Sequence, residues 1–483
     1  MRKLICVCLA VFMSLTACSL NAPVLPGENM PSNGETTGPQ SSDNDAARSA
    51  EDSIPGDPPA MLKRSMMDIS ANESAAYFMR LIPERFLTKF QPEELGQNPI
   101  RFAYGYMMAY VTDFESAKTR PLCFLEGCAH ESPDCAAWIR ARTAGKMLLA
   151  AEDRLFWINM NYAEPESFGN EPDIFHLEEE PACIEVSDLD GSGKRRIYTA
   201  EPNDSIDDSG FFYDSTKVIF IENGRRAYQT MSLVTVDIET GEVESRLPIP
   251  HEFSETETLN VIGAYNNKPL FLKTSMTVTA YEGDALPSLV AAPTEYHGIE
   301  RLFSMDPRSG ELTDILSIDY NQDTPYRLSD VFTGSVIIGL NNTTREIYEI
   351  DIETGKVQVT GTLPEDYEDV YFGSNTPIDG KMLLYSGWPS NLFYLDIQTG
   401  VVTENTFLGT GYAGDHWPTI IADAGEEYLV VVGMTENGVV SRSPIEYYDS
   451  VSGWGGNRYI YAMMHKEAFR GGAEIYREVI LIA

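Results

Sequence analysis

The chain has 483 residues, 43% of them hydrophobic, and carries 35 Lys and Arg against 73 Asp and Glu, a formal net charge of −38. Its length and apolar content suffice for a sizeable core, and its acidity excludes nucleic acid and anionic lipid headgroups, which are held through clustered Lys and Arg. That acidity reads as solubility at a crowded surface in preference to capture of cations or basic ligands.

Arg2 and Lys3 open the chain as a basic flank, and Leu4 to Leu15 is an apolar run of twelve residues with Ser14 its one polar member. Such a run suits the hydrophobic region of a signal peptide and is too short to span a bilayer as a helix. It ends in Leu15-Thr16-Ala17-Cys18, which resembles the lipobox of bacterial lipoproteins. The resemblance implies that residues 1–17 are removed and that Cys18 is acylated, anchoring the chain to the extracytoplasmic face of the cell membrane. Loss of Arg2 and Lys3 with that peptide takes the net charge to −40.

Residues 18–62 are rich in Ser, Asn, Asp, Gly and Pro and hold no apolar period over most of their length. Such a segment cannot bury enough surface to offset its ordering entropy, and it reads as a disordered tether with an r.m.s. reach of about 35 Å. In residues 63–99, Ser70-x-x-Glu73 fits a capping box, and the stretch up to about Leu81 before Pro83 predicts a short helix packed on the main domain.

Residues 123–135 read CFLEGCAHESPDC. Of seven cysteines, Cys6 and Cys8 leave with the signal peptide and Cys18 carries lipid, so Cys123, Cys128, Cys135 and Cys183 remain. An exported location and an even count permit two disulfides. Cys123, Cys128, His130 and Cys135 equally form a set of four ligands suited to tetrahedral zinc, although the usual x2 spacing between cysteines is absent. The disulfide reading leaves His130 without a role; a structural zinc site gives it one. In either case the stretch is a staple on a loop leaving the first repeat, and free thiols are the third reading.

Four later segments share one pattern: LVTVDIETGEV (233–243), LFSMDPRSGEL (302–312), IYEIDIETGKV (347–357) and LFYLDIQTGVV (392–402). Each is an alternating strand, then Asp, two variable residues and Ser/Thr-Gly, which is hairpin chemistry. Asp237, Asp306, Asp351 and Asp396 are therefore turn residues and not catalytic acids. Asp306, Asp351 and Asp396 are spaced by 45 residues, and the 69 between Asp237 and Asp306 allow an insertion of 24 around 253–297. A weaker copy lies at Asp188, 49 residues before Asp237. A period of this length built of short strands is that of a β-propeller blade. Residues 100–483 then form an all-β propeller of about seven four-stranded blades, with six or eight as alternatives. Strands at 104–111 and 458–465 belong to further blades, and the apolar end EVILIA (478–483) suits a ring-closing strand.

The strand-Asp-x-x-Thr-Gly hairpins resemble those of PQQ-like, YVTN-type and TolB-like bacterial propellers, and the cysteine stretch resembles one in propeller lipoproteins of Gram-positive anaerobes. The resemblance implies fold and location and transfers no activity.

Other motifs carry less. Gly409-Thr-Gly411-Tyr-Ala-Gly414 matches a dinucleotide fingerprint by letters, but a strand-like segment follows where a helix is required. The Asp188-Leu-Asp190-Gly-Ser192 stretch lacks the acid of a calcium loop, with Thr199 at the twelfth place. Neither G-x-S-x-G nor H-E-x-x-H occurs. Asp415, His416 and Trp417 precede a predicted strand and are candidates for a ligand site in a propeller loop. The sequence as a whole reads as a monomeric binding or scaffold module for a protein, peptide or glycan. The alternative is a propeller hydrolase or lyase with an acidic site in the central channel.

Overall fold

The computed structural model describes residues 60–481 except 63–68, 82–105, 132–133, 141–145, 161–180, 203, 225–229, 251–256, 282–292, 322, 366–369, 374–376, 387–390, 405–418, 436–457 and 471–474. Seven antiparallel sheets follow one another along the chain and form the blades of a β-propeller. A two-residue strand, β1 (Ala60–Met61), precedes them. Blade 1 contains β2 (Ser70–Ala71), β3 (Ala75–Leu81), β4 (Tyr106–Asp113), β5 (Lys118–Pro121) and β6 (Trp138–Arg140). Blade 2 contains β7 (Lys146–Ala150), β8 (Arg154–Asn159), β9 (Cys183–Asp188) and β10 (Arg195–Thr199). Blade 3 contains β11 (Asp204–Tyr213), β12 (Lys217–Gly224), β13 (Thr230–Asp237) and β14 (Val243–Ile249). Blade 4 contains β15 (Glu257–Tyr265), β16 (Lys268–Tyr281), β17 (Pro293–Met305) and β18 (Leu312–Asn321). Blade 5 contains β19 (Phe332–Thr333), β20 (Val336–Asn341), β21 (Glu346–Asp351) and β22 (Val357–Thr362). Blade 6 contains β23 (Val370–Phe372), β24 (Lys381–Ser386), β25 (Asn391–Asp396) and β26 (Val401–Glu404). Blade 7 contains β27 (Thr419–Ala424), β28 (Glu427–Thr435), β29 (Arg458–His465) and β30 (Tyr476–Glu478), with a five-residue helix α1 (Lys466–Arg470) after β29. The chain ends in β31 (Ile480–Leu481), which pairs in parallel with β5.

The core sits between blades. In β12, Val218 and Phe220 enter the cluster shared with blade 2, while Ile219 and Ile221 enter the one shared with blade 4. A strand buried on both faces reads as a continuous apolar run, and this one does. Seven such clusters occupy seven seams, the last joining blade 7 back to blade 1, and this closes the ring.

The repeated hairpins do two jobs. In each, the Asp side chain accepts the backbone N–H three residues on, at 2.8 Å for Thr240 on Asp237 and 3.0 Å for Thr399 on Asp396. Each hairpin also leans on the outer strand of the preceding blade: Gly241 approaches the Ile197 carbonyl, Gly310 the side chain of Leu247 and Gly400 the Thr360 carbonyl. The enlarged spacing before Asp306 comes from the hairpin of β16 and β17, whose pairing runs out to Tyr281 and Pro293.

Two expectations are corrected. Residues 70–81 form strands, not a helix. Ala75, Tyr77 and Met79 face blade 2 and Ala76 and Phe78 face blade 7, so burial on both faces overrides the helical preference of Ala and Met. Ser70 caps no helix; its hydroxyl accepts the Ala150 N–H of blade 2 at 2.9 Å, and Asn72 turns the chain by accepting the N–H groups of Ser74 and Ala75. The propeller therefore begins well before residue 100, because β2 and β3 are strands of blade 1. Residues 60–62 likewise belong to the fold: β1 pairs with the channel-side edge of β11, the innermost strand of blade 3.

Candidate functional site

Blade 1 carries an irregularity at its outer edge. β5 pairs with β4 at Tyr110–Asp113 and β6 pairs with the same strand at Tyr106–Met108. The residue between them, Ala109, accepts the Leu122 N–H and donates to the Ala137 carbonyl, both at 2.9 Å. The outer strand thus leaves its register at Leu122 and resumes it at Ala137. The cysteine stretch is an excursion within that strand, not a loop leaving the blade.

The excursion folds back so that donor atoms of Cys123, Cys128, His130 and Cys135 all lie within 4.8 Å of one another. His130 Nδ1 is 3.3 Å from Cys135 Sγ. Gly127 and His130 both hold positive φ, 71° and 57°, which compacts the loop. For a non-glycine residue this conformation is uncommon and needs its surroundings to hold it. The hold comes partly from Trp138, whose indole N–H donates to the His130 carbonyl at 3.0 Å. Cys135 is buried, and the other three donors are half-buried.

The electrostatics are those of a packed thiol cluster. Burial pushes the Cys135 thiol up to about 12. Burial also opposes ionisation of Cys123, but hydrogen bonds from the Leu125 backbone and from the Cys135 and Cys128 thiols outweigh it and lower its pKa. Burial, then nearby Arg120, lowers the pKa of His130, which favours the neutral imidazole that a metal requires. No disulfide joins the described cysteines, and Cys183 lies buried in β9 of blade 2. Three sulfurs and one imidazole nitrogen at this separation match a tetrahedral site with metal–ligand distances of about 2.0–2.3 Å. The donors sequence analysis selected are therefore brought together, and the cluster is compatible with a bound metal.

A second feature lay outside the sequence reading. A cavity of about 770 Å³ opens at the end of the channel where the first two strands of each blade turn. Its walls are largely apolar, from Leu62, Ile69, Ala151, Ile378 and Ile421 among others. Ala60 lies opposite Tyr213 at the turn end of β11. Asp379 and Asp423 are on the wall, and both pair with Lys466, at 3.2 Å and 2.9 Å, while the Tyr428 hydroxyl donates to Asp379. Burial raises the pKa of Asp379, but Tyr428 and Lys466 outweigh it and keep the carboxyl below its usual range. Glu73 and Glu152 add carboxylates at the rim. The turns forming this cavity come from blades 1, 2, 6 and 7, and no local motif announces them.

Cys18 and the candidates Asp415, His416 and Trp417 lie outside the described residues.

No family model and no curated protein matches this chain. Among solved structures it is similar to an acylaminoacyl peptidase, at 12% identity and a TM-score of 0.43, covering 87% of this chain and 52% of the peptidase. It thus spans about half the length of that enzyme. It is also similar to TolB from Acinetobacter baumannii, at 14% identity over 75% of this chain and 74% of TolB with a TM-score of 0.28. A polysaccharide lyase, an ulvan lyase, aligns at 9% identity over 87% of this chain and all of its own, with a TM-score of 0.41. At these identities the likenesses assign no activity.

Proposed function

We propose that this chain is a lipid-anchored, extracytoplasmic propeller that works as a binding module for a protein, peptide or glycan, with a zinc ion stapling the edge of blade 1. The observation that carries the binding reading is the cavity at the channel mouth. Its walls are mostly apolar, and the carboxylates of Asp379 and Asp423 on them are paired with Lys466. A general acid needs a carboxyl held protonated near neutral pH, and Asp379 is shifted the other way. Apolar walls with a few fixed polar groups suit recognition. The anchor reading is supported by the Leu15-Thr-Ala-Cys18 sequence and by the polar stretch between Cys18 and β1. Zinc is supported by the convergence of three sulfurs and one imidazole.

The test is an array of peptides and glycans probed with the full chain and with Ile378→Glu, which places a charge on the cavity wall. Ligands bound intact by the parent and lost by the variant support the module. Ligands bound equally by both would remove the cavity from the account, and cleavage of the bound glycans or peptides would establish the enzyme reading instead.

A further inference from the structure

Propeller rings commonly close by completing one blade with strands from both ends of the chain. Here the C-terminal end gives blade 1 only two residues, added outside its own strands. Blade 1 is built from residues 70–140 and blade 7 from residues 419–478. The strand that crosses the junction is β31, two residues long and parallel to Lys118 and Thr119. It is helped by the Ile480 N–H on the Ala117 carbonyl at 3.0 Å and by Arg477, whose guanidinium donates to the carbonyls of Phe114 and Glu115. A latch this short, on the outer edge of a sheet, is prone to local opening.

The metal-compatible cluster lies at this same junction. Cys135, Ala137 and Trp138 belong to the apolar cluster that blade 1 shares with Ile421, Leu429, Tyr461 and Met463 of blade 7, and Cys123 and Cys128 pack against it. Phe78 stacks between Tyr110 of its own blade and Tyr461 across the seam, with ring centroids 5.6 Å and 6.4 Å apart. The outer strand that receives β31 is the strand the excursion interrupts, four residues from Thr119 to Cys123. Without a tie across its base, β5 and β6 are held in line through their separate pairings with β4 and the Ala109 hydrogen bonds between them.

We propose that the Cys123, Cys128, His130 and Cys135 site is the lock on ring closure. By joining the two ends of the excursion, a bound metal ion fixes β5 as a firm edge for β31 and holds Trp138 in the seam, so that metal binding and closure of blade 7 on blade 1 are coupled. This rests on the metal reading above. It adds that the energetic reach of the ion extends across the seam, beyond the loop that binds it.

Hydrogen–deuterium exchange on the full chain separates the two. The protein is loaded with Zn²⁺, its metal content is measured, and exchange is followed before and after chelation and in His130→Ala. The lock predicts that peptides covering 118–121, 461–464 and 480–481 exchange at least about tenfold faster without metal, while β12, β13, β20 and β21 are unchanged. Phe124→Ala, exposed on the excursion and outside the ligand set, should leave the seam as protected as in the parent. One zinc bound with acceleration confined to residues 123–136 overturns the lock and leaves the metal centre standing. No zinc bound overturns both.

Discussion

His130 Nδ1 lies 3.3 Å from Cys135 Sγ although His130 holds a backbone conformation, φ 57°, that a histidine rarely adopts. The strained backbone aims the imidazole at the buried thiol, and a ligand role accounts for both. His130→Ala should therefore weaken zinc binding by more than about a hundredfold, beyond the roughly tenfold to hundredfold that loss of an outer-shell partner costs. Competition titration against a chromogenic chelator measures this. Unchanged affinity would take His130 out of the ligand set.

The hairpin glycines are not equivalent. Gly310 and Gly400 both hold positive φ, 74° and 67°, so either Ala substitution costs about 1 kcal/mol in backbone strain. At Gly310 the added methyl would meet only side-chain atoms, of Leu247 and Met305, the nearest at 3.6 Å. At Gly400 it would overlap the Thr360 carbonyl of the preceding blade. Gly400→Ala should cost more than about 3 kcal/mol and Gly310→Ala about a third of that, by urea denaturation. Equal losses would show that the hairpins do not bear on the neighbouring blades.

Glu222 ties blades 2 and 3 together: it accepts from the Tyr198 hydroxyl and pairs with Arg246, which itself donates to Tyr198 at 2.8 Å. Burial raises the Glu222 pKa above 4.5, opposed by Tyr198 and Arg246. A carboxyl whose folded pKa lies above its unfolded value binds its proton more tightly when folded. Its contribution is most favourable below pH 4.5 and declines as pH rises through the folded value. The stability of Glu222→Gln relative to the parent should accordingly improve with pH across that window and then level off. A stability of Glu222→Gln that falls relative to the parent as pH rises over the same range would contradict the assignment.

Cys18 is expected to carry lipid. Cys18→Ser should abolish labelling with a fatty-acid analogue and leave the chain unprocessed or released from membranes. A variant that still fractionates with membranes and takes up label would refute the anchor.

How much of this was legible depended on how local each signal is. The 45-residue spacing of Asp306, Asp351 and Asp396 exposed the blades because turn chemistry acts within five residues. The four donors fell within thirteen residues and were visible together. Ala75 to Met79 misled because both faces of β3 are buried, which erases the alternation that marks a strand. That the cysteine stretch interrupts a strand could be seen only from the register at Ala109. The cavity joins Asn72, Glu152, Ile378 and Asp423, which are brought together by closure of the ring and by nothing in their neighbouring residues.

The central claim is that a metal ion binds the excursion in blade 1, and native mass spectrometry combined with thiol counting tests it most directly. Protein purified without chelator should carry one zinc ion, with Cys123, Cys128 and Cys135 protected from alkylation until the metal is removed and all three reactive afterwards. A metal-free chain whose three thiols react at once, or whose thiols appear only after reduction, would contradict it.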